Sequence, residues 1–188
     1  MKSKLIFIGQ SIKSFIKIGA FLPSSKRLAK KMVKDMKSTV ILELGPGTGV
    51  FTIEILKKLP KNGKLISIES NESFIKYLKD KIKDERLILC NGNALMLKDF
   101  LKENGIDKVS YIVSGLPLGH FSKDLKAGIL KEIFNCLEND GVFVQFEYFM
   151  AGIFSIKKFF PDIKIDFELL NFPPAFVMKC RKSDSLIV

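Results

Sequence analysis

From residue 39 onward, short apolar runs alternate with segments whose apolar residues recur every three or four positions. Residues 39–44 form a compact apolar run that stops at a glycine cluster, the pattern of a parallel strand buried on both faces. Residues 49–58 then read as a helix with Phe51, Ile55 and Leu56 on one face. Residues 63–69 give a second strand. Asn71 is placed to cap a helix that carries Phe74, Ile75, Leu78 and Ile82 at helical spacing. Strands follow at 86–90 and 109–113, then a helix at 125–137 and a strand at 141–148. The tail changes rhythm: 163–170 and 175–181 both read as extended, joined by a turn at Asn171-Phe-Pro-Pro174 with no helix between them. Alternating β and α units closed by a hairpin predict a doubly wound open α/β sheet with an antiparallel pair at one edge.

The first forty residues follow another pattern. Leu5, Ile8, Ile12, Phe15 and Ile16 share one side of a helical wheel, and Gln10, Lys13, Ser14 and Lys17 fall on the other. Gly9 and Gly19 weaken that helix in water. After Pro23, Ser24 or Ser25 can cap a second helix. Its stripe is Leu28, Ala29, Met32, Val33 and Met36, surrounded by Lys26, Arg27, Lys30, Lys31 and Lys34. This divides the chain into a helical segment, 1–38, and an α/β domain, 39–188.

Length adds a limit: 188 residues with 47% hydrophobic content make one domain with a real core. The formal charge of +11 attracts anions, either nucleic acid or an anionic membrane surface, unless the lysines merely solvate the exterior. Lys2 and Lys4 open the chain as in a signal peptide, but Lys13 and Lys17 interrupt the apolar stretch and no small-residue cleavage pattern follows. No run is long enough to span a bilayer, so a soluble or peripheral protein is expected. Cys90, Cys136 and Cys180 lack any C-x-x-C spacing and His120 is the single histidine, so no zinc site is expected. Cysteine usage fits a reducing cytosol, with Cys90 and Cys180 as packing residues.

The sharpest chemical signal is Glu43-Leu44-Gly45-Pro46-Gly47-Thr48-Gly49, between a strand and a helix. Glycines there let the backbone approach a ligand lying across the strand ends. Glu69, followed by Ser70, ends the second strand about 20 residues on, where an acid accepts hydrogen bonds from ribose hydroxyls. A nicotinamide site would show G-x-G-x-x-G facing a pyrophosphate, which the Glu43 carboxylate would repel. A carboxylate at that place suits the ammonium of a methionine moiety. The motif therefore points to S-adenosylmethionine, with a ligand-free glycine turn as the plain alternative.

Longer motifs narrow the field. Gly92-Asn93-Ala94 resembles the G-D-A segment of class I methyltransferases, with an asparagine whose carbonyl can still accept from the adenine amine. Ser114-Gly115-Leu116-Pro117-Leu118, Phe143-Val-Gln-Phe-Glu-Tyr148 and Asn171-Phe-Pro-Pro-Ala175, with the glycine motif and Pro23-Ser-Ser25, resemble the bacterial phospholipid N-methyltransferase family nearly end to end. That resemblance implies a Rossmann-like class I methyltransferase sheet. It also implies stepwise N-methylation of phosphatidylethanolamine toward phosphatidylcholine, with S-adenosylmethionine held by 43–49, 69–70, 93–94 and 114–116.

Such a reaction needs an amine with a free lone pair, and its product is a cation that an aromatic face can hold. Tyr148 is the first candidate for that face, ahead of Phe121, Phe146 and Phe172. His120 is a candidate proton acceptor. Glu147 is a weaker one, because strand alternation turns it from the Tyr148 face. The 1–38 segment would contact the membrane or close over the site, through Lys13, Phe15, Ile16 and Lys17. The expected place is the cytoplasm, peripherally at the inner face of the membrane. The related ribosomal RNA adenine dimethyltransferases carry N-[IL]-P-[YF] where this chain has Ser114 to Leu118, so the aromatic that stacks on adenine is missing. RNA is the second reading, and a non-catalytic lipid- or nucleic-acid-binding module the third.

Overall fold

The computed structural model describes residues 25–183. The segment carrying Lys13, Phe15, Ile16 and Lys17 lies outside these residues. The elements run α1 (Lys26–Met32), β1 (Val40–Leu44), α2 (Val50–Lys58), β2 (Lys64–Glu69), α3 (Glu72–Lys81), β3 (Leu87–Asn91), α4 (Leu97–Glu103), β4 (Val109–Ser114), α5 (Lys123–Cys136), β5 (Leu137–Glu147), α6 (Ile153–Lys157), β6 (Asp162–Glu168) and β7 (Ala175–Arg181).

The strands make one seven-stranded sheet in the order β3-β2-β1-β4-β5-β7-β6. β3, β2, β1, β4 and β5 are parallel, while β7 runs antiparallel to both β5 and β6. Parallel neighbours need crossover helices, and the α/β alternation supplies them; β6 and β7 have no helix between them and pair as the predicted hairpin. Strand order reverses between β1 and β4, which opens a crevice beyond the carboxyl ends of these strands.

Helices cover both faces. One core joins Leu97 and Leu101 of α4, Ile129, Leu130 and Ile133 of α5 and Ile156 of α6 to Leu42, Ile66, Ile112 and Phe143 of the sheet. The other joins Leu28, Ala29 and Met32 of α1 and Phe51 and Ile55 of α2 to Ile41, Leu65, Val113, Val144 and Val177. Local caps agree with this arrangement: Ser25 accepts from the Leu28 amide, Asn71 from Ser73 and Ser122 from Leu125.

Sequence periodicity placed the second helix, after Pro23, in the 1–38 segment, and the structure binds it into the core as α1. Leu28, Ala29 and Met32 are fully buried, and each large apolar side chain so buried contributes about 2 kcal/mol. The Tyr111 hydroxyl donates to the Met32 carbonyl at 3.0 Å. Lys58 donates to the carbonyls of Val33 and Lys34, and Lys179 pairs with Asp35. From Ser25 on, the chain is continuous with the sheet. Cys136 and Cys180 are buried, while Cys90 is only partly so; all three are free thiols.

Candidate active site

β1 delivers the glycine loop to the mouth of the crevice. Gly45, Gly47 and Gly49 all take positive φ, 64°, 53° and 83°. A residue bearing a Cβ is strained in that region, so the loop requires its glycines. The turn is closed by Gly49 N–H donating to the Pro46 carbonyl at 2.8 Å. Pro46 and Gly47 are buried and Thr48 is exposed. Beside the loop, Gly115 N–H donates to the Leu44 carbonyl at 2.8 Å. A Cβ on Gly115 would stand 2.6 Å from the Gly45 carbonyl oxygen. The loops after β1 and β4 therefore touch backbone to backbone.

Two carboxylates hold this loop. Glu69, at the end of β2, accepts from the Gly47 amide at 3.1 Å and from the Asn71 amide at 2.9 Å. Burial raises its pKa against the pull of these amides. Each oxygen keeps a further lone pair for a hydroxyl. Glu43 lies beneath the loop, fully buried. Its carboxyl accepts from the Thr52 hydroxyl of α2 at 2.9 Å and from the Ser67 hydroxyl of β2 at 2.5 Å. Burial pushes its pKa up to about 7, opposed by the two hydroxyls. The sequence aimed Glu43 at a methionine ammonium, whereas the structure gives it two hydroxyl partners and no exposed surface.

Farther along the same edge, the Asn93 side chain accepts from the Leu95 amide at 2.9 Å beside buried Ala94, and Ser70 is exposed next to Glu69. After β4, Ser114 is buried and its hydroxyl accepts from the Leu116 amide at 3.2 Å. The Leu116 side chain lies over Gly45. Gln145 of β5 fixes this segment by donating from Nε2 to the Leu116 carbonyl at 2.8 Å. Gln145 Oε1 is buried with no hydrogen-bond partner among the described residues. Taken together, the site has a glycine-rich loop, an acceptor carboxylate at the end of β2 and a carbonyl acceptor after β3, which fits an adenosyl ligand.

Beyond Leu116 the chemistry changes. Leu118–His120 makes one tight turn, with His120 exposed at its end. Partial burial and then the Lys126 charge lower the His120 pKa. The preceding residue, Gly119, donates its N–H to Glu147 Oε1 at 3.1 Å. Glu147 is the last residue of β5; it is buried, and desolvation pushes its pKa up to about 7. Tyr148 stands on the opposite face, its ring 5.5 Å from that of Phe146, which in turn lies 5.6 Å from Phe51. The structure thus brings Glu147 and the His120 turn together on one face and leaves Tyr148 on the other. Sequence reasoning ranked Glu147 low because alternation turns it from Tyr148. At the last residue of a strand, however, both faces open onto the same edge. An acid at the end of the strand Phe143-Val-Gln-Phe-Glu147 was the available signal.

Comparison with known proteins now bears on this geometry. A model of the methyltransferase domain family matches residues 41–141, from β1 through the start of β5. The chain belongs to that family. It is an S-adenosylmethionine-dependent methyltransferase, and the glycine loop and Glu69 lie within the matched span. It is 28% identical to the ornithine lipid N-methyltransferase of Singulisphaera acidiphila over 96% of this chain and 97% of that protein. It is 40% identical to the ribosomal RNA small subunit methyltransferase H of Clostridium botulinum, but over only 42% of this chain and 26% of that one. Among solved structures, the N-methyltransferase NodS of Bradyrhizobium japonicum in complex with S-adenosyl-L-homocysteine superposes with a TM-score of 0.68 at 11% identity, covering 83% of this chain and 84% of that one. At that identity the likeness concerns the fold. Among the described residues no group of His, Cys, Asp and Glu could hold a metal ion, and no helix is long and apolar enough to cross a membrane.

Proposed function

We propose that this methyltransferase methylates the amine head group of a membrane lipid, phosphatidylethanolamine and its methylated forms, toward phosphatidylcholine. The observation that carries this reading is the likeness to a lipid N-methyltransferase over 96% of this chain, against 42% for the ribosomal RNA methyltransferase. Ornithine lipid, named for that relative, is the other amine lipid to test. A peripheral position at the inner face of the membrane follows from a lipid substrate and a charge of +11.

S-adenosylmethionine supplies the activated methyl group. Gly45, Pro46, Gly47, Thr48 and Gly49 leave room for it, and Glu69 with Ser70 takes the ribose hydroxyls. Asn93 and Ala94 meet the adenine, while Ser114, Gly115 and Leu116 form the wall beside the methyl. Glu43 supports the loop from below. A lipid ammonium must lose a proton before its nitrogen can react, and a carboxyl titrating at about 7 is matched to that task near neutral pH. Glu147 is accordingly the proton acceptor in this reading, with His120 at the mouth to pass the proton outward. Tyr148 offers its ring and hydroxyl to orient the amine and hold the methylated cation. Lys13, Phe15, Ile16 and Lys17 are the proposed membrane contacts of the N-terminal segment.

The test offers labelled S-adenosylmethionine to the purified chain with three acceptors: vesicles containing phosphatidylethanolamine, vesicles containing ornithine lipid, and ribosomal RNA. Label in lipid, abolished by Glu69→Ala, is the expected result. Label in RNA alone overturns it and installs the adenine reading, which the partial likeness to a ribosomal RNA methyltransferase supports.

A further inference from the structure

The carboxyl edge of the sheet carries apolar side chains that no core uses. Phe149 and Phe154 follow β5, and Leu169, Leu170 and Phe172 lie in the β6–β7 turn; these five are 64–81% exposed. The strand register places them together. Glu147 of β5 pairs with Phe176 of β7, and Ala175 pairs with Glu168 of β6. The ends of β5 and β6 and the start of β7 therefore coincide, with neighbouring strands about 4.8 Å apart. Phe149 lies two residues past Glu147, on the side where the β6–β7 turn closes. The patch thus borders the residues proposed to handle the amine. Large solvent-exposed apolar side chains grouped in this way mark a contact surface.

Charge identifies the partner. Ser25 N–H donates to Asn171 Oδ1 at 2.9 Å, which pins the first turn of α1 beside the β6–β7 turn. Lys26 and Arg27, exposed in that first turn, carry positive charge to the rim. Lys157 and Lys158, also exposed, follow Phe154 closely on the other loop. No acidic side chain occurs between Tyr148 and Pro161. Protruding aromatic and leucine side chains flanked by cations complement a lipid surface, with apolar groups at the acyl boundary and ammonium and guanidinium groups at anionic head groups.

We infer that the β5–α6 loop and the β6–β7 turn form a membrane-docking rim that seats the mouth of the active site against an anionic bilayer. The inference rests on the lipid reading above. It assigns the docking function to the folded domain as well as to the N-terminal segment. A head group then reaches Glu147 and Tyr148 without leaving the interface, its acyl chains lying against the rim.

The experiment uses the full chain and vesicles of phosphatidylethanolamine with phosphatidylglycerol. The combined substitution Phe154→Ser, Leu169→Ser and Leu170→Ser is expected to lower flotation with vesicles by at least about tenfold. Methyl transfer to vesicle lipid should fall in parallel. Melting temperature, S-adenosylmethionine affinity and methylation of a short-chain phosphatidylethanolamine dispersed as monomers should stay unchanged. Phe154→Ser alone and Leu169→Ser/Leu170→Ser alone, on separate loops, should each give part of the loss. Lys26→Glu with Arg27→Glu should remove the preference for anionic over neutral vesicles. Unchanged flotation of the combined variant overturns the rim. So does unchanged flotation with a lowered melting temperature, which would mean that residues 1–24 cover the patch. The two readings fail differently: vesicle binding lost on substitution but no lipid methylated by the unmodified chain keeps the rim and sinks the substrate. Short-chain lipid methylated while the variant still floats does the reverse.

Discussion

The two halves of the carboxyl edge are built on opposite principles. Around β1 and β2, polar groups are buried and paired: Glu43 with two hydroxyls, Glu69 with two amides, the loops after β1 and β4 in backbone contact. Around β5, β6 and β7, apolar groups are exposed, with the Glu147 carboxyl buried behind them and Glu168 of β6 paired with Lys31. A site for a fixed cofactor tolerates no slack, because each polar group there was desolvated in advance. A site for a substrate that arrives at an interface needs an apolar mouth. The family model spans the first half, from β1 to the start of β5.

The largest effect is expected inside the cofactor half. Gly115→Ala places a methyl 2.6 Å from the Gly45 carbonyl. Neither backbone can yield without opening the loop, so S-adenosylmethionine affinity by calorimetry should fall by about a hundredfold or more, the equivalent of ~3 kcal/mol. An affinity within threefold of the unmodified chain would show that the contact is dispensable.

Next comes the substrate side alone. Glu147→Gln should keep cofactor affinity and lower kcat on lipid by about a hundredfold. It should also remove the acid limb of the rate profile, which in the unmodified chain rises through pH 7 as the carboxyl ionises. Retention of that limb would transfer the proton-accepting role to His120.

A smaller effect separates support from ligation on the cofactor side. The folded state holds the Glu43 proton up to about pH 7, whereas an unfolded carboxyl releases it near 4.3. Between these values the folded protein binds more protons, so this group makes stability fall as pH rises, by on the order of 4 kcal/mol. Glu43→Gln should flatten that decline in melting temperature between pH 5 and 8 and leave S-adenosylmethionine affinity close to unchanged. A large loss of affinity would restore the ammonium contact. Smallest of all, Tyr148→Phe keeps the ring and should lower kcat by no more than about threefold, and Tyr148→Ala by more.

Much of the fold could be read from periodicity because the central strands β1, β2, β4 and β5 bury what their patterns announce. The run at 39–44, the Asn71 cap and the strand at 175–181 stand within a residue of where the pattern put them. Two helices, Leu97–Glu103 and Ile153–Lys157, were not anticipated. They are seven and five residues long, too short for a periodic signal, and tertiary contacts hold them. β5 begins at Leu137 rather than 141, since the register shift against β4 carries Asp140 through positive φ, which no alternation reveals. In the site, the glycine loop was legible because positive φ restricts residue choice. The Glu43–Thr52–Ser67 cluster was not, because it joins three elements through hydroxyls whose sequence positions carry no motif. Alternation placed Glu147 on the face opposite Tyr148, where the structure has it; its contact with the Gly119 amide, between residues 28 apart, carries no sequence signal.

The bond from Ser25 to Asn171 has a geometric consequence. It fastens the point where the chain enters the domain to the tip of the terminal hairpin. A load placed on the hairpin tip is therefore carried to the start of α1 through this bond as well as through the sheet.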